Sequence, residues 1–412
     1  GNGMYMHFLA LGVLAVCNAL GLWYRVGTVL VFLGFTYVFL LDQALYLNHF
    51  YLMALISFLM IFIPAHRAFS VDAWLKPEIR SGTTPAWAPF LLAAQMGIVY
   101  FYGGLAKLNG DWLRGEPMRT WLAAETSFPV VGRLFTQEWM VYLFSYGGLL
   151  FDLLIVPFLL WRRTRLVAFA LVLGFHLANA QMFTIGVFPY LAIAATALFF
   201  PPSWPRRFVG FLLGLWQSLR QSFRGTIPRW SASERGHEEQ RVREEDVSTA
   251  PTRLRTRQWI AVSMLGVFLV VQLLVPLRHF LYPGNAGWTK EGARFSWRMK
   301  LYDTQARAIF HANDPVSGRT WEIDPMDYLT RRQASYVTRF PDMALQFSHA
   351  VGESLRAEGY EQVEVRANDV ASLNGRDYQP LIDPTVNLAD QPRMLAPAPW
   401  IVPLEEPLPP SP

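Results

Sequence analysis

A lone lysine, Lys107, stands near the end of an apolar run, inside the stretch YFYGGLAKLNGDW from Tyr100 to Trp112. An ammonium so far down an otherwise uncharged helix is expensive to desolvate. Either the side chain snorkels to an interface, or it is kept because a desolvated amine makes a useful base. Asp152 raises the same question in another apolar run, where it either pairs with a neighbouring donor or carries a function of its own. Other side chains able to bind ligands or move protons are Asn48, His49, Tyr100, His176, Asn179, Gln181 and His279. Each also has an ordinary reading: histidines at helix ends as interface residues, Asn179 and Gln181 as helix-to-helix hydrogen bonders. The pairs Gly103-Gly104 and Gly147-Gly148 read as close helix packing. There is no His-x-x-x-His spacing, no Walker lysine after a glycine loop and no Gly-x-Ser-x-Gly elbow, so no metal site or serine nucleophile is expected.

The elements that must position these residues are membrane spans. Of 412 residues, 52% are hydrophobic and 16% charged, and the apolar residues come in runs of bilayer-spanning length. The single cysteine, Cys17, excludes an internal disulfide. The spans are predicted at Met4 to Tyr24, Val26 to Tyr46, Asn48 to Ile63, Trp87 to Lys107, Trp139 to Leu160, Leu166 to Phe183, a seventh ending at Phe200, and Trp259 to Leu277. The expected fold class is therefore an all-α polytopic membrane helical bundle of about eight transmembrane helices, followed by a small C-terminal α+β soluble domain. Residues 1–277 form the membrane domain. Within them, 203–257 comprise an amphipathic surface helix, Arg206 to Arg224, and a charged linker, Ser231 to Arg257. The soluble domain is expected over 278–395, with a hairpin from Ala306 to Ile323 turning at Asn313-Asp314-Pro315 and a helix from Met343 to Glu358. A Pro-rich tail, 396–412, is expected to have little structure of its own.

Charge placement predicts the orientation. Arg162, Arg163, Arg165, Arg206, Arg207, Arg220 and Arg224 lie in connections that share one side with Arg25 and the His66 to Arg80 loop. By the positive-inside rule that side is the cytoplasm. Asn48, His49, Lys107, Asn179, Gln181 and His279 then gather at the opposite face, with His176 one to two turns deeper. Independent interfacial residues would divide between the two faces, whereas a site built between helices needs its residues together. Nucleic-acid binding has no support beyond the basic linker, which the topology already explains.

At these positions the sequence resembles the vitamin K-dependent gamma-glutamyl carboxylases and the wider HTTM-domain membrane family. The matching blocks are Leu47-Asn48-His49 with Tyr51-Leu52; Tyr100-Phe101 through Gly104, Lys107-Leu108 and Asp111-Trp112; Phe175-His176 through Asn179, Gln181, Phe183 and Ile185-Gly186; and Pro276 through His279-Phe280-Leu281, Trp288-Thr289 and Phe295-Ser296-Trp297. They run from Leu47 to Trp297 in the family's order.

The resemblance implies an enzyme in which Lys107 deprotonates reduced vitamin K, a phylloquinol or menaquinol. Reaction with O2 then yields a base strong enough to take a proton from the γ carbon of a glutamyl side chain, CO2 adds there, and the quinone leaves as its epoxide. It implies Lys107, His49 and Asn48 as catalytic residues and Tyr100, His176, Asn179, Gln181 and His279 as cofactor contacts, with no metal. Burial among aromatics would disfavour the ammonium form that the chemistry must avoid. Expected partners are a glutamyl-containing protein or peptide and the membrane quinone pool, in a bacterial inner membrane with the site on the non-cytoplasmic face. Ala106 and Arg298-Met299-Lys300 depart from the animal pattern. The family's helix ahead of the first span is expected to be missing from this sequence. The segment after the last span is much shorter than in animal carboxylases, so a quinol epoxidase without glutamate carboxylation is the alternative within the same site. A non-enzymatic quinone- or lipid-binding protein is the alternative outside it.

Overall fold

The computed structural model describes residues 2–183, 185–224 and 256–409. Among these residues six helices are long and apolar enough to cross a membrane. They include α1 (Asn2–Leu20), α2 (Tyr24–Leu41), α4 (Trp87–Ala106), α5 (Glu138–Leu160) and α6 (Arg165–Met182). Two further apolar helices, α3 (Asn48–Phe62) and α7 (Phe188–Thr196, extended by a 3-10 turn to Phe199), are shorter. The predicted runs thus recur as helices, of which six reach spanning length among the described residues. The second run ends early, at Leu41, because Asp42 takes an extended conformation and its carboxylate accepts from the Ala44 amide, nucleating a 3-10 turn before Asn48.

The chain divides into two compact units. The smaller, Phe200–Gln272, contains α8 (Trp204–Arg224) and most of α9 (Thr256–Leu274), the sixth long apolar helix, which a 3-10 turn continues to Leu281. In α8 the exposed Phe208, Phe211, Leu212 and Trp216 lie between basic ends, Arg206-Arg207 on one side and Arg220 and Arg224 on the other, the composition expected of a surface-lying helix. Most of the predicted linker, Ser231 to Arg257, lies outside the described residues, as does Thr184 in the bend before α7.

The larger unit joins residues 1–199 to 273–412. Its C-terminal part is a four-stranded antiparallel sheet of order β2-β1-β3-β4, from β1 (Thr304–Asp314), β2 (Arg319–Ile323), β3 (Glu364–Leu373) and β4 (Gln379–Pro380). The hairpin appears where expected, whereas β3 and β4 were not legible beforehand. Phe310 pairs with Ile323 on one side and Ala367 on the other. With Ala312, Val365, Ala371 and Leu373 these residues form one core with Ala344, Phe347, Val351 and Leu355 of α11 (Pro341–Ala357). Helix α10 (Arg331–Val337) precedes it, opened by a capping box between Thr330 and Gln333.

The Pro-rich tail is more ordered than its composition predicts. Trp400 is buried and Ile401 bridges to Ile382. The Val402 amide donates to Leu381 and its carbonyl accepts from the Trp288 indole. Gln379 then holds the Pro403 carbonyl and the Glu405 and Glu406 amides. Proline removes donors without removing acceptors, so the segment is held through its carbonyls and its remaining amides.

This C-terminal part packs on one end of the helices. Gln333 donates to Asp42, Arg332 to the Ala44 carbonyl, and Gln43 to Asp342 at 2.6 Å. Arg376 grips Asp111 with two nitrogens at 2.8 Å each, and Asn374 adds a third bond at 2.8 Å.

Candidate active site

Helix α4 ends at Ala106, and Lys107 is its capping residue, donating its amide to the Gly104 carbonyl. Asn109 enforces the stop: its amide nitrogen donates to the Ala106 carbonyl, while its oxygen accepts from Trp112 and starts a new turn, Gly110–Leu113. Trp112 is then pinned to α5, its indole donating to the Ser145 carbonyl and its own carbonyl accepting from the Ser145 hydroxyl. Gly103 and Gly104 let α4 and α5 meet closely enough for this, whereas a Cβ at Gly147 would meet nothing within 4 Å. A Cβ at Gly104 would lie 2.7 Å from the Leu153 side chain, and one at Gly103 would lie 3.2 Å from Asp152 Oδ2.

That approach brings the two intramembrane charges together. Lys107 Nζ lies 2.5 Å from Asp152 Oδ2 and 3.2 Å from the Gly103 carbonyl, with the Trp112 ring 5.3 Å away. Both residues are only 8% exposed. The lysine is therefore one half of a buried pair, and the snorkelling reading is excluded by its partner and its burial.

The pair sits in the wall of a cavity of about 550 Å3. Val99, Met118, Trp121, Phe144, Phe175, Phe183 and Phe188 give it mostly apolar walls. Of the residues singled out from the sequence, Asn48, His49, Tyr100, Lys107, His176 and Asn179 all line it. Tyr100 Oη and His176 Nε2 are 2.9 Å apart, and His176 Nδ1 is buried with no hydrogen-bond partner among the described residues. Asn48 accepts from the Tyr46 hydroxyl and donates to the Arg298 carbonyl, which fixes the start of α3 against the C-terminal part. His49 packs edge-on to Phe50.

Two expected contacts are not in the cavity lining. Gln181 is exposed. On α6, His176 and Asn179 are three residues apart and share a face, whereas a residue two positions beyond Asn179 points away from it. His279 engages the Pro276 carbonyl through Nδ1, with the Phe280 ring tilted against it at 4.0 Å. The close approach of Gly292 to its backbone holds it there, since a Cβ at Gly292 would lie 2.6 Å from His279 Cα.

Asp152, Met299 and Lys300 line the cavity without having been assigned to it from the sequence. A carboxylate in mid-span was the available signal for Asp152, because such a charge needs a partner and Lys107 is the nearest intramembrane cation. Lys300 was marked only as part of the basic departure Arg298-Met299-Lys300, and nothing in its position beyond the last apolar run assigned it to the cavity. Its amine rests on the Trp121 and Phe183 rings, 4.6 and 5.0 Å from their centroids. Burial against these rings lowers the tendency of Lys300 to hold its proton, an effect that nearby Asp303 partly opposes. Among the described residues no group of three or more His, Cys, Asp or Glu side chains could hold a metal ion.

The cavity has the size and lining of a small-molecule site. Its volume lies in the range of small-ligand sites, about 300–1,000 Å3, its walls are apolar, and the unpartnered His176 nitrogen and the Lys107–Asp152 pair offer polar contacts. No solved structure matches the chain. Residues 1–204 match the family model of the HTTM domain, and residues 257–407 match that of the vitamin K-dependent gamma-carboxylase lumenal domain. The two cover most of the chain and meet at this cavity, and the protein belongs to the gamma-carboxylase-like HTTM family.

Proposed function

We propose that the protein is a membrane carboxylase of the vitamin K-dependent type, using a reduced naphthoquinone, O2 and CO2 to carboxylate a glutamyl side chain. The observation that carries this reading is the Lys107–Asp152 pair, 2.5 Å apart in the wall of an apolar, ring-sized cavity. The bound quinol supplies, with O2, the base that removes the glutamyl γ proton.

The chain's own task is to accept the quinol hydroxyl proton and to hold the ring. Lys107 and Asp152 share one transferable proton. Whether it resides on nitrogen or oxygen, a second proton gives the same product, an ammonium beside a carboxylic acid, so the two residues act as one base. This reading takes the pair, rather than a lone neutral lysine, as the base. The cationic pair left after proton uptake stands opposite a newly formed anion, which low-dielectric walls make favourable. If the Tyr100 hydroxyl donates to His176 Nε2, the imidazole carries its hydrogen on Nδ1 and can donate to a ring oxygen. Asn48, His49 and Asn179 are further polar contacts, and the phenylalanine walls exclude water from the strong base. The basic connections on the far side of the bundle support a non-cytoplasmic site reached by quinone from the bilayer of a bacterial inner membrane.

Purified protein given reduced vitamin K and O2 is expected to form the epoxide, and Lys107→Ala is expected not to. Equal product from the variant removes the lysine from the mechanism. Labelled CO2 with a short Glu peptide separates carboxylation from quinol epoxidation alone: epoxide without incorporated label leaves only the epoxidase.

A further inference from the structure

We infer that Lys300 is the subsite for the substrate's anionic group, binding the glutamyl carboxylate at the mouth of the cavity and setting the preference for glutamyl over glutaminyl side chains. This rests on the functional reading above.

Two lysines line the cavity. The charge of Lys107 is answered by Asp152 at 2.5 Å. Lys300 has no carboxylate within ion-pair distance among the described residues; Asp303 is near enough only to favour its ammonium form. Its neighbours are the faces of Trp121 and Phe183, which attract a cation and leave its N–H groups free for a ligand.

The position of this amine is set by the fold. Trp297 and Lys300 both adopt left-handed backbone, at φ 54° and 47°, a conformation that side-chain-bearing residues rarely hold without surrounding support. The support is visible. Trp297 stacks on Tyr51 at 4.9 Å, the Arg298 carbonyl accepts from Asn48, and Leu301 is buried in the cluster containing Trp112 and Phe135. The Arg298 side chain turns aside to the Tyr302 hydroxyl, so Lys300 is the cation of this segment that faces the cavity.

Chemistry selects the ligand. Of the four reactants, quinol, O2 and CO2 enter uncharged, and the glutamyl side chain alone arrives as an anion. A carboxylate does not enter an apolar cavity without a partner. An amide isostere lacks the charge and gains little from an ammonium, so a salt bridge here discriminates Glu from Gln.

The test uses the full chain in lipid nanodiscs with a reduced quinone, measuring binding of a labelled short Glu peptide and its Gln counterpart. Wild type is expected to prefer the Glu peptide by about tenfold or more, the scale of a charge-assisted contact at a partly desolvated site. Lys300→Met is expected to abolish the preference and Lys300→Arg to keep most of it. An undiminished preference in Lys300→Met overturns the inference, as does a wild type without preference. Epoxide formation, read separately in the same preparations, decides the functional reading on its own, so the two can fail independently.

Discussion

Two buried ion pairs begin within one short stretch, four residues apart, and they are built differently. Asp111 is saturated: it takes two bonds from Arg376 and one from Asn374, while Arg376 also reaches the Leu373 and Glu406 carbonyls. Lys107 has one carboxylate oxygen and one carbonyl, and the space beside it is cavity. A fully hydrogen-bonded pair has no unused capacity and fixes one part of the fold on another. A sparsely bonded pair facing an apolar cavity keeps the capacity to take up a proton. Burial alone therefore does not separate a structural charge from a functional one; the number of unfilled hydrogen-bonding positions does.

The sharpest way to break this comparison is Lys107→Ala. Epoxide formation is expected to fall by about 10²- to 10⁴-fold, the range for losing a positioned base. Asp152→Asn should fall comparably, and the double variant should be no worse than the more damaged single, because the two residues form one base. Additive losses would show that they act separately.

The opposite pair should behave in the opposite way. Arg376→Ala leaves the Asp111 carboxylate buried beside Asn374 and is expected to cost about 3–5 kcal/mol of stability, read by denaturant or thermal unfolding. Turnover per folded molecule should be unchanged. If turnover falls while stability holds, the division between the two pairs is wrong.

A third buried carboxylate sharpens the contrast, because it has no partner. Both oxygens of Asp369, on the core face of β3, are without a hydrogen-bond partner among the described residues, and burial raises its pKa from 3.8 to about 8. Folding therefore favours the protonated form. Its contribution is complete below about pH 4 and is lost as pH rises towards about 8, so wild-type thermal stability should decline across that window. Asp369→Asn should flatten the decline and unfold at a higher temperature than wild type at pH 8; an unchanged slope would rule out Asp369 as its source.

The smallest expected effect is at the cavity wall. Tyr100→Phe removes one hydrogen bond to His176 without touching the ion pair, and a neutral bond of this kind is worth about 0.5–1.5 kcal/mol, or about two- to tenfold in turnover. A loss as large as that of Lys107→Ala would move Tyr100 into the base itself.

Much of this arrangement was legible in the residues alone. Apolar runs closed by charged or proline-rich segments determined which stretches are apolar helices, because a bilayer core tolerates little else. Lys107 stood out for the same reason, as did Asn48, His49, Tyr100, His176 and Asn179. Helical periodicity, applied to α6, would have turned Gln181 away from the cavity. The hairpin was readable from its turn residues, whereas β3 became a strand through its pairing with β1, and the Pro-rich tail was ordered by carbonyl acceptors that composition does not reveal. What only the tertiary structure decided is which charges meet. Asp152 reached Lys107 because Gly103 and Gly104 let two helices close to within side-chain contact, Asp111 was taken by an arginine 265 residues away in sequence, and Lys300 entered the cavity from a segment beyond the last apolar run. Charge compensation and close packing act through space between residues far apart in the chain, so spacing in sequence carries no record of them.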